Sequence, residues 1–167
     1  DQAIKIDPKY ATAYVNRGII HRRLGRDDEA LADYTTALKL DPRDGYAYNN
    51  RGNIWYKKRN LDRAFADYDQ AIKINGSIAT RYGNRGNIYR ERNDLTRAKA
   101  DYDQALRLDP NFPAAHAGLG LIYLKQGHAT RARDEFNRVL GLPPKYDSGE
   151  WAKRTAREQI EKLDSTN

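Results

Sequence analysis

The stretch that decides the fold is residues 48–74, YNNRGNIWYKKRNLDRAFADYDQAIKI. Three of its features, a glycine, an alanine and an aromatic residue, recur along the chain at a fixed interval of 34 residues. The recurring positions are Gly18, Gly52, Gly86 and Gly120, then Ala30, Ala64, Ala98 and Ala132, then Tyr34, Tyr68, Tyr102 and Phe136. A constant period of this size is typical of stacked structural repeats, in which one unit cannot bury its apolar face alone.

The composition agrees with a thin helical array. Of 167 residues, 39% are hydrophobic and 32% are charged, so the predicted surface is large relative to the core. The chain has no Cys, which excludes disulfides and thiolate metal sites. It has no apolar run of roughly 18 residues, so we predict no membrane span. It also has no Met, and we therefore expect residue 1 to follow a preceding part of a longer chain.

The repeat divides the chain into units of two helices each. Residues 1–8, DQAIKIDP, match residues 69–74, DQAIKI, so we interpret them as the end of a truncated preceding repeat. Four full units are predicted at 11–44, 45–78, 79–112 and 113–144, followed by a C-terminal capping helix at 147–163. Asp147 and Glu150 have the spacing of a capping box at the start of that last helix.

Two places depart from the regular pattern. The second unit ends with Asn75-Gly76 where its neighbours have Asp-Pro, and we predict that a left-handed residue stops the helix there. In the fourth unit, His116, Leu119 and Val139 replace the tyrosine, arginine and alanine of the other units. We interpret these replacements as drift, which is typical of a terminal repeat.

The four glycines in one register predict close packing. Glycine inside a helix costs about 1 kcal/mol relative to alanine, so helix formation does not explain them. We predict that they let the two helices of each unit approach closely, with the repeated alanines opposite them. The aromatic residues then fill the remaining space, and stacking of units buries them.

This pattern resembles the tetratricopeptide repeat (TPR), whose motif is aromatic-x2-Leu-Gly-x2-Tyr, then Ala-x3-Phe, Ala and Pro. In the third unit the motif is carried by Tyr82, Arg85, Gly86, Tyr89, Ala98, Tyr102, Ala105 and Pro110. The resemblance covers nearly all of residues 1–144. It implies an all-α TPR solenoid, a right-handed superhelix of antiparallel helix hairpins. It also implies a non-catalytic protein–protein interaction scaffold that needs no cofactor.

One departure from the motif is charged. The leucine that usually precedes the glycine is Arg17, Arg51 or Arg85 in three units. A charge at a half-buried position needs a partner, because burial removes it from water. The second helices carry an aspartate at one register, at Asp33, Asp67 and Asp101. We therefore predict one structural Arg–Asp pair in each of these units.

Polar residues of the first helices are the candidate ligand contacts. The resemblance implies that these helices line a concave groove that binds a peptide or partner protein. The candidates are Asn16, Asn49, Asn50, Asn53, Asn84, Asn87, Tyr46, Tyr56 and Lys57. An Asn amide offers a donor and an acceptor, as a peptide unit does, and the pattern resembles the asparagine ladder of the O-GlcNAc transferase TPR superhelix. The alternative is that these asparagines are a repeat habit, solvated or bonded to neighbouring helices.

The net charge of +7 raises the question of an acidic partner or nucleic acid. Basic residues cluster at the ends of the first helices, at Arg22, Arg23, Lys57, Lys58, Arg59, Arg90, Arg92 and Lys125. Cations there complement the helix dipole, which accounts for them without a nucleic-acid ligand. We therefore expect an acidic protein partner rather than nucleic acid.

Two other kinds of site are not predicted. The chaperone-binding TPR class clamps a C-terminal carboxylate with cations, and the matching positions here lack them, at Val15, Ile19, Thr80, Asn84 and Ala114. The histidines, His21, His116 and His128, share no metal-ligand spacing, so we expect no metal site.

The alternative function is self-association. Ala3, Ile4 and Ile6 belong to a second-helix motif without its first helix. An apolar face of this kind can pair with another copy, so the array could form homo-oligomers through its ends.

Overall fold

The computed structural model describes residues 2–143 and 149–165, and these residues form only helices and short connections. The helices are α1 (Gln2–Ile6), α2 (Ala11–Arg23), α3 (Asp27–Leu40), α4 (Gly45–Lys57), α5 (Leu61–Ile74), α6 (Ala79–Glu91), α7 (Leu95–Leu108), α8 (Pro113–Lys125), α9 (Ala129–Gly141) and α10 (Gly149–Ser165).

The helices group into two compact units, Asp1–Gly76 and Ser77–Asn167. In unit 1, α2 packs on α3 (hairpin 1), α4 packs on α5 (hairpin 2), and α3 contacts α4. In unit 2, α6 packs on α7 (hairpin 3) and α8 on α9 (hairpin 4), with α8 against both α6 and α7. Helix α10 then packs on α8 and α9.

The core of each hairpin pairs a first-helix glycine with a second-helix aromatic ring. A Cβ atom on Gly52 would lie 2.8 Å from Cε1 of Tyr68, and one on Gly86 would lie 2.9 Å from Cε1 of Tyr102. Real side chains do not approach so closely, so only glycine leaves room for the ring. The predicted packing of the alanines opposite the glycines stays a prediction. Ala64 is itself fully buried, and the nearest side-chain atoms beside Gly52 belong to the ring of Tyr68.

Left-handed residues mark the tight turn inside each hairpin. Gly25 and Gly127 have φ of 74° and 76°, and Arg59 and Asn93, at the same register, have φ of 61°. The predicted left-handed stop at Asn75-Gly76 is wrong. Asn75 is extended, with φ −151° and ψ 104°, because the chain must leave α5 in an extended path to reach the next hairpin.

Helix α10 closes one side of unit 2. Its Ala152 and Ala156 are fully buried in one cluster with Phe136 and Val139 of α9. The helix begins at Gly149 and ends at Ser165, close to the predicted 147–163. Asp147 of the predicted capping box lies outside the described residues.

Candidate functional site

A charged pair joins the two helices of hairpins 1, 2 and 3. In hairpin 2, Nε and Nη2 of Arg51 donate to the two carboxylate oxygens of Asp67 at 2.9 and 2.8 Å. The other pairs, with distances of 2.7–2.9 Å, are Arg17–Asp33 and Arg85–Asp101. The hydrogen bond to Asp67 raises the pKa of the Arg51 guanidinium. The predicted Arg–Asp pairs are confirmed. In each pair the guanidinium group joins the first helix of the hairpin to the second.

Hairpin 4 keeps the carboxylate but moves its partner. Glu135 stands at the register of the aspartates, and its Oε2 lies 2.6 Å from Nδ1 of His116. Nε2 of His116 lies 3.0 Å from the carbonyl oxygen of Pro110. Leu119 occupies the register of the missing arginine. The two replacements interpreted as drift, His116 and Leu119, together supply Glu135 with a new partner one helical turn earlier.

Two of the candidate asparagines are bonded to buried tyrosines. The hydroxyl of Tyr68 donates to Oδ1 of Asn53 at 2.8 Å, and the hydroxyl of Tyr102 donates to Oδ1 of Asn87 at 2.7 Å. The alternative interpretation, that asparagines bond to a neighbouring helix, is confirmed for this pair. The sequence did not predict these tyrosine–asparagine pairs. The repeat register assigns both tyrosines to the apolar core, but it does not indicate where their hydroxyl groups point.

The other candidates lie on the first helices outside the core. In unit 1, α2 carries Asn16, which is exposed, and α4 carries Asn49, Asn50 and Tyr56, which are half-buried, and Tyr46, which is 65% exposed. In unit 2, α6 carries Asn84, which is half-buried.

The candidate Lys57 is bound to an acid of hairpin 1. Its Nζ lies 2.6 Å from Oδ2 of Asp27, and Nζ of Lys58 lies 2.9 Å from Oδ1 of Asp28. These two members of the predicted basic cluster therefore tie α4 to the start of α3. They are partly neutralised within unit 1.

A buried charge on α6 was not predicted. Arg81 is 2% exposed, at the register where the other hairpins have Ala13, Ala47 and Ala115. The sequence did contain a signal for this buried charge, because an arginine stands at a register that otherwise holds alanine. Arginine is much larger than alanine, so the packing around it must differ from that in the other hairpins.

The described part of the chain holds neither a metal cluster nor a membrane span. Within residues 2–143 and 149–165, no three His, Cys, Asp or Glu side chains are grouped to hold a metal ion. In the same residues, no helix combines the length and apolarity needed to cross a membrane.

Comparison with protein families decides what this repeat is. Family models described as tetratricopeptide repeat match residues 15–77 and 113–146, and one described as TPR repeat matches residues 86–127. The chain belongs to the TPR family. A comparison with curated proteins gives no match.

Solved structures of TPR proteins share the fold. The MamA structure is 21% identical, with 98% of this chain and 86% of that chain covered and a TM-score of 0.74. YrrB, described as a TPR protein with an unusual peptide-binding site, is 20% identical over 97% of this chain and 89% of its own, with a TM-score of 0.74. The first TPR of Spaghetti (RPAP3), bound to the HSP90 peptide SRMEEVD, is 27% identical over 72% of this chain and 96% of its own, with a TM-score of 0.68. The fold is an all-α TPR solenoid.

Proposed function

We propose that this TPR chain is a protein-interaction scaffold whose first-helix asparagines bind an extended peptide. Membership of the TPR family supports the scaffold function. The peptide ligand is supported by the likeness to YrrB, described as having a peptide-binding site, and to the Spaghetti TPR, described as bound to an HSP90 peptide.

The observation that carries the proposal is the placement of Asn16 and Asn50. They share one register on α2 and α4, and neither belongs to the core or to the Arg–Asp pairs. Asparagine is a poorer helix former than alanine by up to about 0.7 kcal/mol, so helix stability does not explain its repetition on a surface. Its amide can bond a peptide N–H and a peptide C=O together. The neighbouring Tyr46 adds an exposed aromatic surface that an apolar ligand side chain can cover.

The proposed partner is acidic outside the contacted segment. The chain carries a net charge of +7, which accelerates the approach of an acidic ligand. Because Lys57 and Lys58 are bound to aspartates, we expect charge to influence the association rate more than the fit at Asn50.

A peptide selected on the wild-type chain tests the proposal. The tightest binder from a random-peptide phage library would be synthesised with a fluorophore and titrated by anisotropy. We expect Asn50→Ala/Asn84→Ala to bind at least tenfold more weakly. Asn137→Ala, which changes an exposed asparagine on α9, is the matched control and should bind like wild type. Equal affinity of the double variant and wild type would remove the asparagines from the site.

One observation favours self-association as a second candidate function. Ile20 is 57% exposed, whereas Ile54, Ile88 and Ile122 at the same register are at most 1% exposed. Leu24 and Tyr10 beside it are also exposed. We propose that a second copy covers this apolar surface of α2. Light scattering should then show a mass that rises with concentration for wild type and stays monomeric for Ile20→Glu/Leu24→Glu. A monomer mass for wild type at all concentrations would refute the candidate.

A further inference from the structure

The hydrogen bond between Tyr102 and Asn87 has a defined direction. Nε–H of Arg90 donates to the Tyr102 hydroxyl oxygen at 3.4 Å. An arginine has donors only, so the hydroxyl oxygen accepts from Arg90, while the hydroxyl donates its own hydrogen to Oδ1 of Asn87 at 2.7 Å. Burial raises the pKa of Tyr102 to about 12, so the hydroxyl keeps that hydrogen at neutral pH. The group of Asn87 that faces Tyr102 is therefore the carbonyl Oδ1 and not the amide nitrogen.

The position of Tyr102 cannot easily change. Its ring is fully buried and lies in the space left by Gly86 on one helix and by Gly118 on another. A Cβ on Gly118 would lie 2.4 Å from Cζ of Tyr102, so the hydroxyl end of the ring is held between α6 and α8. Turning the Asn87 amide over would take the Oδ1 acceptor away from the Tyr102 hydrogen and leave a buried donor unsatisfied, which favours the observed orientation.

The same pairing appears elsewhere in the chain. In hairpin 2, Tyr68 donates to Asn53. In hairpin 4 the two registers hold Phe136 and Leu121, so the hydroxyl and the amide are both absent. Hairpin 1 is the exception because it has the tyrosine without the asparagine. Tyr34 stands at the tyrosine register, and Ile19 stands at the asparagine register.

We propose that Tyr102 is a positioning residue that presents Asn87 to a bound peptide as a hydrogen-bond donor. The planar amide directs Nδ2 away from Oδ1, and Asn87 is half-exposed, so the two Nδ2 hydrogens are the end left for a ligand. A donor fixed in this way can bind a carbonyl oxygen of the ligand backbone. This position therefore requires only a carbonyl oxygen from the facing ligand residue, and it accepts a residue without an N–H, such as proline. The inference rests on the proposed peptide-binding function.

Variants of Asn87 separate its two roles. Asn87→Asp keeps an acceptor for the Tyr102 hydroxyl but has no hydrogens to offer a ligand. Asn87→Leu, the residue of hairpin 4, loses both. We expect Asn87→Asp to unfold within about 2 °C of wild type, since the buried hydrogen bond is retained. Asn87→Leu should unfold several degrees lower.

The binding measurement uses the same phage-selected peptide. We expect Asn87→Asp to bind it at least tenfold more weakly at both low salt and about 0.5 M salt, where charge effects are screened. Asn137→Asp, which adds the same charge on α9, is the control and should bind like wild type.

The outcomes distinguish two failures. If wild type selects no peptide, or if Asn50→Ala/Asn84→Ala binds as wild type does, the proposed function fails. If the peptide binds and Asn87→Asp retains its affinity, only the donor role of Asn87 is overturned. If Asn87→Asp destabilises the chain as much as Asn87→Leu, the direction of the Tyr102 hydrogen bond is overturned.

Discussion

Replacing Arg51 by leucine, the residue that hairpin 4 has at this register, tests the role of the charged pair. Besides two hydrogen bonds to Asp67, Arg51 contacts the Thr35 hydroxyl at 3.4 Å and lies 5.5 Å from the ring centroid of Tyr48. Asp67 is only 5% exposed, so its carboxylate would stay largely removed from water after the substitution.

The expected cost follows from that burial. Removing one partner of a buried ion pair costs about 3–5 kcal/mol, because the remaining charge is uncompensated. The Arg51 side chain is 20% exposed, so some water can reach the site and we expect the lower end, about 3 kcal/mol. For a chain of this size that corresponds to a fall of roughly 6–12 °C in the unfolding temperature.

Hairpin 4 supplies the matched rescue. The triple variant Tyr48→His/Arg51→Leu/Asp67→Glu copies the His116, Leu119 and Glu135 arrangement into hairpin 2. The carbonyl of Pro42 stands at the register of Pro110, so the introduced histidine has both of its partners. We expect the triple variant to recover at least half of the stability that Arg51→Leu loses.

Urea unfolding followed by far-ultraviolet circular dichroism measures these differences. Arg51→Leu/Asp67→Leu is a second control, and it should be more stable than Arg51→Leu because no buried charge remains. The reasoning is refuted if the free energy of unfolding of Arg51→Leu lies within about 1 kcal/mol of wild type, well below the cost of an uncompensated buried charge. A triple variant no more stable than the single one would refute it equally.

Three further predictions use the tyrosines and glycines. Tyr34 lacks the asparagine acceptor of the other tyrosines, since Ile19 stands at that register, so Tyr34→Phe should lower the free energy of unfolding by less than Tyr68→Phe and Tyr102→Phe, which should each lower it by about 1 kcal/mol in urea titrations. Gly25 has φ 74° and open space where a Cβ would lie, so Gly25→Ala should cost about 1–2 kcal/mol, whereas Gly141→Ala, equally open but helical, should stabilise the chain by up to about 1 kcal/mol. The pKa of Tyr102 is about 12 in the folded chain and about 10 in the unfolded chain. The contribution of this shift to the free energy of unfolding is complete below about pH 10 and is lost as the pH rises to about 12, a fall of about 2–3 kcal/mol. Tyr102→Phe should abolish this fall when unfolding is measured as a function of pH.

The sequence was sufficient for the helical hairpins and for the charged pairs. The period of 34 residues identifies which positions are equivalent, and helical spacing then identifies the apolar face. The pairing of Arg51 with Asp67 follows from one physical requirement, that a half-buried charge must be compensated, and only one acid recurs at a fixed offset from each arginine.

The same reasoning fails where two arrangements satisfy the same requirement. A half-buried amide such as Asn53 can bond to a ligand or to Tyr68, and each choice satisfies its hydrogen-bonding groups equally well. A repeated register also shows that Gly52 and Ala64 are equivalent to other positions, but it does not show which ring fills the space beside the glycine. The peptide-binding role of the asparagines stays a prediction for this reason.

The carboxylate of the second helix is the constant member of the polar pair. It is present in all four hairpins, as Asp33, Asp67, Asp101 and Glu135, while its partner is an arginine in three and a histidine in the fourth. Buried ion pairs add little to stability but can specify one arrangement over another. A slide of one helical turn, about 5.4 Å, would move each ring away from the glycine that leaves room for it. The same slide would break the bidentate pair, so the glycine–ring contact and the ion pair together fix the register of the two helices. A ligand that contacts Asn16 and Asn50, which are 34 residues apart, requires that register to be the same in hairpins 1 and 2.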